Sequence, residues 1–181
     1  MTLPPSNPIV QLGNPILRAI AAPVSLPLSP ALQATVRQMQ ALMESHAGVG
    51  IAAPQVGVSL QIIIVASRPT LRYPTAPSMP PLPMINPCIV ERSPNQVTGW
   101  EGCLSVPGLR GSVPRFQAVT VEYCDLAGRF HCQSFDGFVA RIIQHECDHL
   151  LGKVFLDHIN SEQVMSESDY FKQEEWGPVA G

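Results

Sequence analysis

Apolar and polar positions along this chain switch between two periods, and the switches mark its elements. Leu32, Val36, Met39 and Met43 recur at helical spacing. Ser29 before them suits an N-cap and Pro30 the first helical position, so a helix is predicted there, ended by Gly48. Its methionine stripe reads as core packing. The stretch from Ser59 to Ala66, with its run Ile62-Ile63-Ile64-Val65-Ala66, reads as a buried strand, and Met84 to Glu91 as a strand broken by Pro87. Ala118 to Tyr123 alternates, Asp125-Leu126-Ala127-Gly128 makes a turn, and Phe130 to Phe135 returns, which is a hairpin. Helical periodicity resumes from about Gly137 to Leu151, with Gly152 as its stop. Asn14 to Arg18 reads as a short turn or a single helical turn. Strands followed by a helix, without internal repeats, predict an α+β fold. The expected form is one compact domain over residues 1–181, mostly antiparallel strands around a central helix.

Three stretches carry no clear period. Gly48-Val49-Gly50-Ile51-Ala52-Ala53-Pro54-Gln55 is built of small residues that let another chain approach its backbone, and equally suits a plain helix-to-strand turn. It lacks the lysine of a phosphate loop. Residues 67–83 are proline-rich and are expected to form a surface loop. Residues 161–181 form a polar, acidic tail, either a weak helix or disordered, with Trp176 its only large apolar group near the end.

Composition narrows the function classes. A length of 181 residues suits a single domain with a sizeable core, and the 19 prolines imply many irregular connections. A net charge of −3 gives no electrostatic reason to expect nucleic acid or an anionic membrane. Met1-Thr2-Leu3-Pro4-Pro5 lacks the pattern of a secretory signal, and the longest apolar run is too short to span a bilayer, so a cytoplasmic protein is expected. Cys88, Cys103, Cys124, Cys132 and Cys147 form no C-x-x-C pair, which argues for reduced thiols.

The chemistry concentrates in His145-Glu146-Cys147-Asp148-His149. Residues four apart share a helix face, so His145 and His149 can converge on one metal ion while Glu146 handles protons beside it. With 5 histidines in the chain, chance produces this motif well under about one time in a hundred. A catalytic site needs a third ligand and an open position. Phe155 stands where a metzincin would carry histidine, which excludes that class. Glu162 and Glu167 would suit an endopeptidase with a glutamate ligand; Cys103, in Glu101-Gly102-Cys103-Leu104-Ser105, would supply a thiolate. A non-catalytic metal protein is disfavoured by Glu146, which a closed structural site does not need. Cys147 falls roughly opposite His145 on the helix and reads as packing.

The segments 48–55, 101–105 and 145–149 together resemble the motifs of the peptide deformylase family in order and separation, and the resemblance covers roughly residues 8 to 160. It implies a hydrolase that removes the formyl group from the N-terminal formyl-methionine of nascent chains and releases formate. The implied metal ligands are Cys103, His145 and His149, with Glu146 as general base and then acid. Gln55 and the backbone N–H of Leu104 are the implied oxyanion donors. The working ion would be Fe2+, with Zn2+, Ni2+ or Co2+ accepted by the same ligand types. Glu101 is implied to steady the ligand loop and Asp148 to pair with Arg115 in a buried ion pair. An extended peptide would lie between Gly48, Val49 and Gly50 on one side and Gly108 or Leu109 on the other. Phe138 and Ile142 would line its methionine pocket, and Arg110 occupies a position tied to substrate contacts, though a solvated surface arginine fits it nearly as well. Arg141 stands where many relatives are apolar and is expected to alter the pocket mouth. The acidic tail departs from the basic C-terminal helix with which some relatives meet the ribosome. A monomer or weak dimer is expected, without nucleic-acid or membrane binding.

Overall fold

Ser29 opens the first long helix as a cap should: its Oγ accepts a hydrogen bond from Leu32 N–H at 3.2 Å, with Pro30 in the first turn. In the computed structural model, which describes residues 9–70 and 73–174, this helix is α1 (Pro30–Ser45), burying Val36, Met39 and Met43. It ends before Gly48. Ala47 takes the left-handed conformation at φ +52° and Gly48 N–H reaches back to the Met43 carbonyl at 2.8 Å, closing the last turn. Met1 to Pro5 and Trp176 lie outside the described residues.

Among the described residues, eight strands follow one another as β1 (Gly50–Ala52), β2 (Ile62–Ser67), β3 (Met79–Arg92), β4 (Gln96–Cys103), β5 (Val106–Phe116), β6 (Ala118–Cys124), β7 (Phe130–Asp136) and β8 (Val164–Ser166). They form two antiparallel sheets, one ordered β1-β2-β3-β6-β7 and one ordered β4-β5-β8. The second long helix, α2 (Gly137–Leu150), packs on strands of both sheets, and a short α3 (Glu167–Glu174) packs on β5.

The apolar run of β2 is explained by burial on both faces. Ile62 and Ile64 join Val36, Met39 and Met43 of α1 in one cluster, while Ile63 and Val65 join Ala140, Ile143 and Leu150 of α2 in another. β6 keeps strict alternation, its Val119, Val121 and Tyr123 turned into the α2 cluster. A third, smaller core of Val106, Val113, Val154 and Phe155 lies under the β4–β5 hairpin.

Several boundaries differ from the pattern reading. β2 starts at Ile62 rather than Ser59, and β3 starts at Met79, inside the proline-rich stretch. Pro80, Pro81 and Pro83 are tolerated because this part of β3 pairs only with β2, the pairing with β6 beginning at Ile85. Pro87 sits in a register shift between Ile85 and Cys88, so the strand passes it by bulging. β4 and β5 escaped the pattern because glycines interrupt both and prolines also interrupt β5. The prolines of β5, 107 and 114, fall outside its pairing with β8, which spans Leu109 to Gly111. The acidic stretch from Ser161 is ordered as far as described, into β8 and α3.

Candidate metal centre

Gln144 fixes α2 against β5. Its amide accepts from Phe116 N–H at 3.0 Å and donates to the Phe116 carbonyl at 2.9 Å, clasping one residue of the strand. The next turn carries His145, Glu146 and His149, all buried. At its end Gly152 adopts φ +70°, and any Cβ there would lie 2.6 Å from the Arg18 carbonyl oxygen, so glycine alone allows the N-terminal segment to cross. Cys103 comes from β4, the neighbour of β5 in the same sheet, at a register shift that follows Gly102 and re-aims the chain.

These elements bring ligand atoms of Cys103, His145 and His149 within 4.8 Å of one another, with Cys103 Sγ 3.3 Å from His149 Nε2. His145 Nδ1 is engaged by Glu101 Oε2 at 2.9 Å, which leaves Nε2 for an ion. Glu162 and Glu167 are not part of this group; Glu162 is exposed, and Glu167 lines the cleft but not the ligand cluster. The donor set fits a divalent cation. Burial, then the charge on His145, pushes the His149 pKa well down, so His149 is the neutral imidazole that metals bind. Burial also disfavours charge on His145, yet its bonds to Cys103 and Glu101 outweigh this and raise its pKa, so the cluster attracts positive charge.

Glu101 is the hub behind the ligands. It takes Arg115 Nε and Nη2 at 2.9 and 3.0 Å, Arg141 Nη1 at 2.9 Å, and His145. Despite desolvation, His145 and Arg115 hold its carboxyl below the usual carboxylate range. Arg115 also binds Asp148 at 2.6 Å, and His158 Nε2 lies 2.7 Å from the same Asp148 oxygen. Arg141 lines the cleft, but its guanidinium reaches across the hairpin, donating to the carbonyls of Val97, Gly99 and Val113 at 2.6, 3.3 and 2.8 Å. It ties the site together rather than charging the pocket mouth.

Cys103 and His145 line a cleft of about 470 Å³, and His149 is fully buried beside them. Glu146 lines it, and its Oε2 is buried without a hydrogen-bond partner. Burial raises this carboxyl to about 7. Gln55 is oriented by Ala52 N–H, which donates to Oε1 at 2.8 Å. The amide nitrogen then faces Cys103 Sγ at 3.6 Å and Ser105 Oγ at 3.2 Å. Leu104 sits on the turn between β4 and β5 and lines the cleft, as do Gly48, Val49, Gly50, Gly108, Leu109, Phe138 and Ile142. A Cβ on Gly50 would collide with Glu146 Oε1, so this glycine serves the close approach of β1 to α2. Cys147 packs against the core, its thiol pKa raised by burial.

Arg110 is the exception. It does not line the cleft and is fully buried, with Cζ 5.1 Å from the Tyr73 ring centre and 4.3 Å from that of Tyr170. Both the surface reading and the substrate-contact reading give way to a packed cation between two aromatic rings, because β8 and α3 cover that part of β5. Tyr73 and Ser105 were not foreseen as site residues. Ser105 was legible as the last residue of its motif, whereas nothing local marks Tyr73.

A family model described as polypeptide deformylase matches residues 6–165. The chain belongs to that family. Peptide deformylase 2 of Nostoc is 51% identical over 164 residues, 90% of this chain and 92% of the relative. Peptide deformylase 1 of Bordetella pertussis is 45% identical over 147 residues, 81% and 84% of the two chains. Among solved structures, the Met-Ala-Ser-bound class I type b peptide deformylase of Acinetobacter baumannii shares 49% identity. Its TM-score is 0.82, over 84% of this chain and 97% of that one. The Thermotoga maritima peptide deformylase shares 34%, with a TM-score of 0.75, over 84% and 96%. The family's activity is metal-dependent hydrolytic removal of the N-formyl group from nascent peptides, and it is the activity of this chain.

Proposed function

We propose that this deformylase reaction is carried by Cys103, His145 and His149 as metal ligands, Glu146 as proton carrier, and Gln55 with Leu104 N–H as oxyanion donors. The observation that supports this assignment is the convergence of three ligand atoms within 4.8 Å, next to a cleft lined by Cys103, His145 and Glu146, with one buried Glu146 carboxylate oxygen lacking a partner. A divalent ion bound by these three residues would supply an acidified water and a Lewis acid for the formyl oxygen. Glu146 takes the proton released as water attacks the formyl carbon and returns it to the departing amine nitrogen. Its raised pKa matches this exchange near neutral pH. Gln55 Nε2, locked in direction by Ala52, and Leu104 N–H face the charge that develops on the formyl oxygen. Gly48, Val49 and Gly50 and, across the cleft, Gly108 and Leu109 would flank an extended peptide, with Phe138 and Ile142 against its methionine.

We assign Fe2+ as the working ion, on the family resemblance together with a thiolate and two imidazoles that also accept Zn2+, Ni2+ and Co2+. All five cysteines are free, which supports a reducing, cytoplasmic setting. No helix among the described residues is long and apolar enough to cross a membrane. The chain is proposed to work as one domain, monomeric or weakly dimeric. Any transient contact with the ribosome would not use a basic C-terminal helix, since α3 carries Glu167, Asp169 and Glu174 against one Lys172.

The test is deformylation of a formyl-Met peptide by anaerobically purified protein, with metal content measured alongside a Cys103→Ala control. Activity in the parent, with metal and activity lost together in the control, is expected. A metal-loaded but inactive parent would overturn the substrate assignment, and a control that keeps its metal would overturn the ligand set.

A further inference from the structure

Beside the cleft lies a second cavity of about 380 Å³, lined by aromatic residues that include Trp100 and Tyr170. The two cavities share three lining residues: Tyr73, Phe138 and Arg141. The Tyr73 and Phe138 rings pack with centres 4.7 Å apart and planes tilted by 50°, and Arg141 is tied to β4 and β5 by its carbonyl contacts. Tyr73 is held in place on its own segment. Its N–H donates to Thr70, its carbonyl accepts from Ala76 N–H at 3.2 Å, and its ring rests 5.1 Å from Arg110 Cζ.

We infer that Tyr73 is a specificity-determining residue: its ring, packed against that of Phe138, is the partition that ends the first side chain's pocket and separates it from the Trp100–Tyr170 cavity. Truncating that ring joins the two spaces and leaves all three metal ligands and Glu146 untouched. The ligand class admitted by the joined space follows from its lining. Trp100, Tyr170 and Phe138 offer flat apolar faces, so formylated peptides beginning with a bulky aromatic residue are the ones that gain. An apolar pocket discriminates by roughly 10–200-fold per misfitting group, which sets the scale available to this wall.

This inference rests on the deformylase reading, and the experiment separates the two. The parent, Tyr73→Ala, Tyr73→Phe and Phe138→Ala proteins, each with metal content verified, are assayed on formyl-Met-Ala-Ser, formyl-Phe-Ala-Ser and formyl-Trp-Ala-Ser. Binding of the unformylated Met-Ala-Ser and Trp-Ala-Ser peptides is titrated in parallel. In Tyr73→Ala the Trp-to-Met ratio of kcat/KM rises by about tenfold or more, and the ratio of peptide affinities moves the same way. Tyr73→Phe, which keeps the ring, retains the parental ratio, and Phe138→Ala shifts it in the direction of Tyr73→Ala. A ratio within twofold of the parent in both alanine variants overturns the partition. If Tyr73→Ala does not fold, Phe138→Ala decides alone. A parent inactive on every formyl peptide would sink the reaction, while the affinity ratios would still judge the wall.

Discussion

Replacing Gly50 by alanine adds one methyl group and tests where the proton carrier must stand. The added Cβ would lie 2.8 Å from Glu146 Cδ and 2.8 Å from Ile142 Cγ2, and would overlap Glu146 Oε1. Ordinary carbon contacts begin near about 3.5 Å, so the carboxylate must retreat by about an ångström or β1 must move away from α2. Crowding of this kind costs about 1–3 kcal/mol of stability. In a chain of this length each of those kilocalories lowers Tm by roughly 2–4 °C. Displacing a catalytic group by about 1 Å costs on the order of 10² in rate. None of the three atoms nearest that Cβ belongs to Cys103 or the two histidines, and metal content is expected to stay at the parental level. The expected variant is folded, metal-loaded, slightly less stable and about a hundredfold slower in kcat/KM on a formyl-Met peptide. A double variant with Glu146→Ala sharpens the test, because two changes acting through one carboxylate do not add. A metal-loaded Gly50→Ala within threefold of the parent, or a double variant much slower than Glu146→Ala, would refute the placement of Glu146.

Other expectations follow from the same contacts. Gln55→Ala removes one oxyanion donor and lowers kcat by about 10²–10³, with metal content unchanged; a metal assay beside the kinetics checks both halves. Glu101→Gln keeps the shape but sets an amide against donors from Arg115, Arg141 and His145. Chelator competition should show metal affinity down by about 10–100-fold, and urea melts a loss of about 3–5 kcal/mol. The β6–β7 turn is expected to weaken in acid. Chiefly the His131 hydrogen bond, with the Arg129 backbone N–H after it, holds Asp125 below the usual carboxylate range. Its contribution is therefore complete above the unfolded value near about 4 and is lost as pH falls toward the folded one. Urea melts of parent and Asp125→Asn should accordingly converge below about pH 4, and a constant gap would count against it.

How much of this was readable from the residues varies by element. α1 and α2 were legible because Val36, Met39 and Met43, and the helical run ending at Gly152, place apolar groups on one face with capping residues at the ends. The β6–β7 hairpin was legible because Val119, Val121 and Tyr123 alternate up to a turn built on Asp125. The β4–β5 hairpin was not, since Gly99, Gly102, Pro107, Gly108, Gly111 and Pro114 carry weak strand preference, and pairing and tertiary cover decide their conformation. The same holds at the site. His145, Glu146 and His149 announce themselves by local spacing. Tyr73 enters the cleft from a segment whose composition says only loop, and Arg110 could be placed only once β8 and α3 were known to cover it.

The contacts also divide the site into two parts with different freedom to change. His145 is bound into the fold by groups that serve the fold as well: Glu101 orients it and neutralises Arg115 and Arg141, while Arg115 continues to Asp148 on the ligand helix. A buried charge stripped of its partner is costly, so a change at any of these residues reaches the metal and the stability of both sheets together. The wall of the cleft is built otherwise. Tyr73, Phe138, Gly108 and Leu109 meet the substrate space from a connecting segment, the first turn of α2 and one arm of β5, and none of them takes part in the Glu101 hydrogen-bond network. Stacking and van der Waals contact hold them, and these interactions tolerate exchange of one apolar group for another at modest cost. Substrate preference can therefore shift by substitution in the wall while the ligands stay in register, which is why the Tyr73 variants are the ones expected to change what is cleaved without changing how.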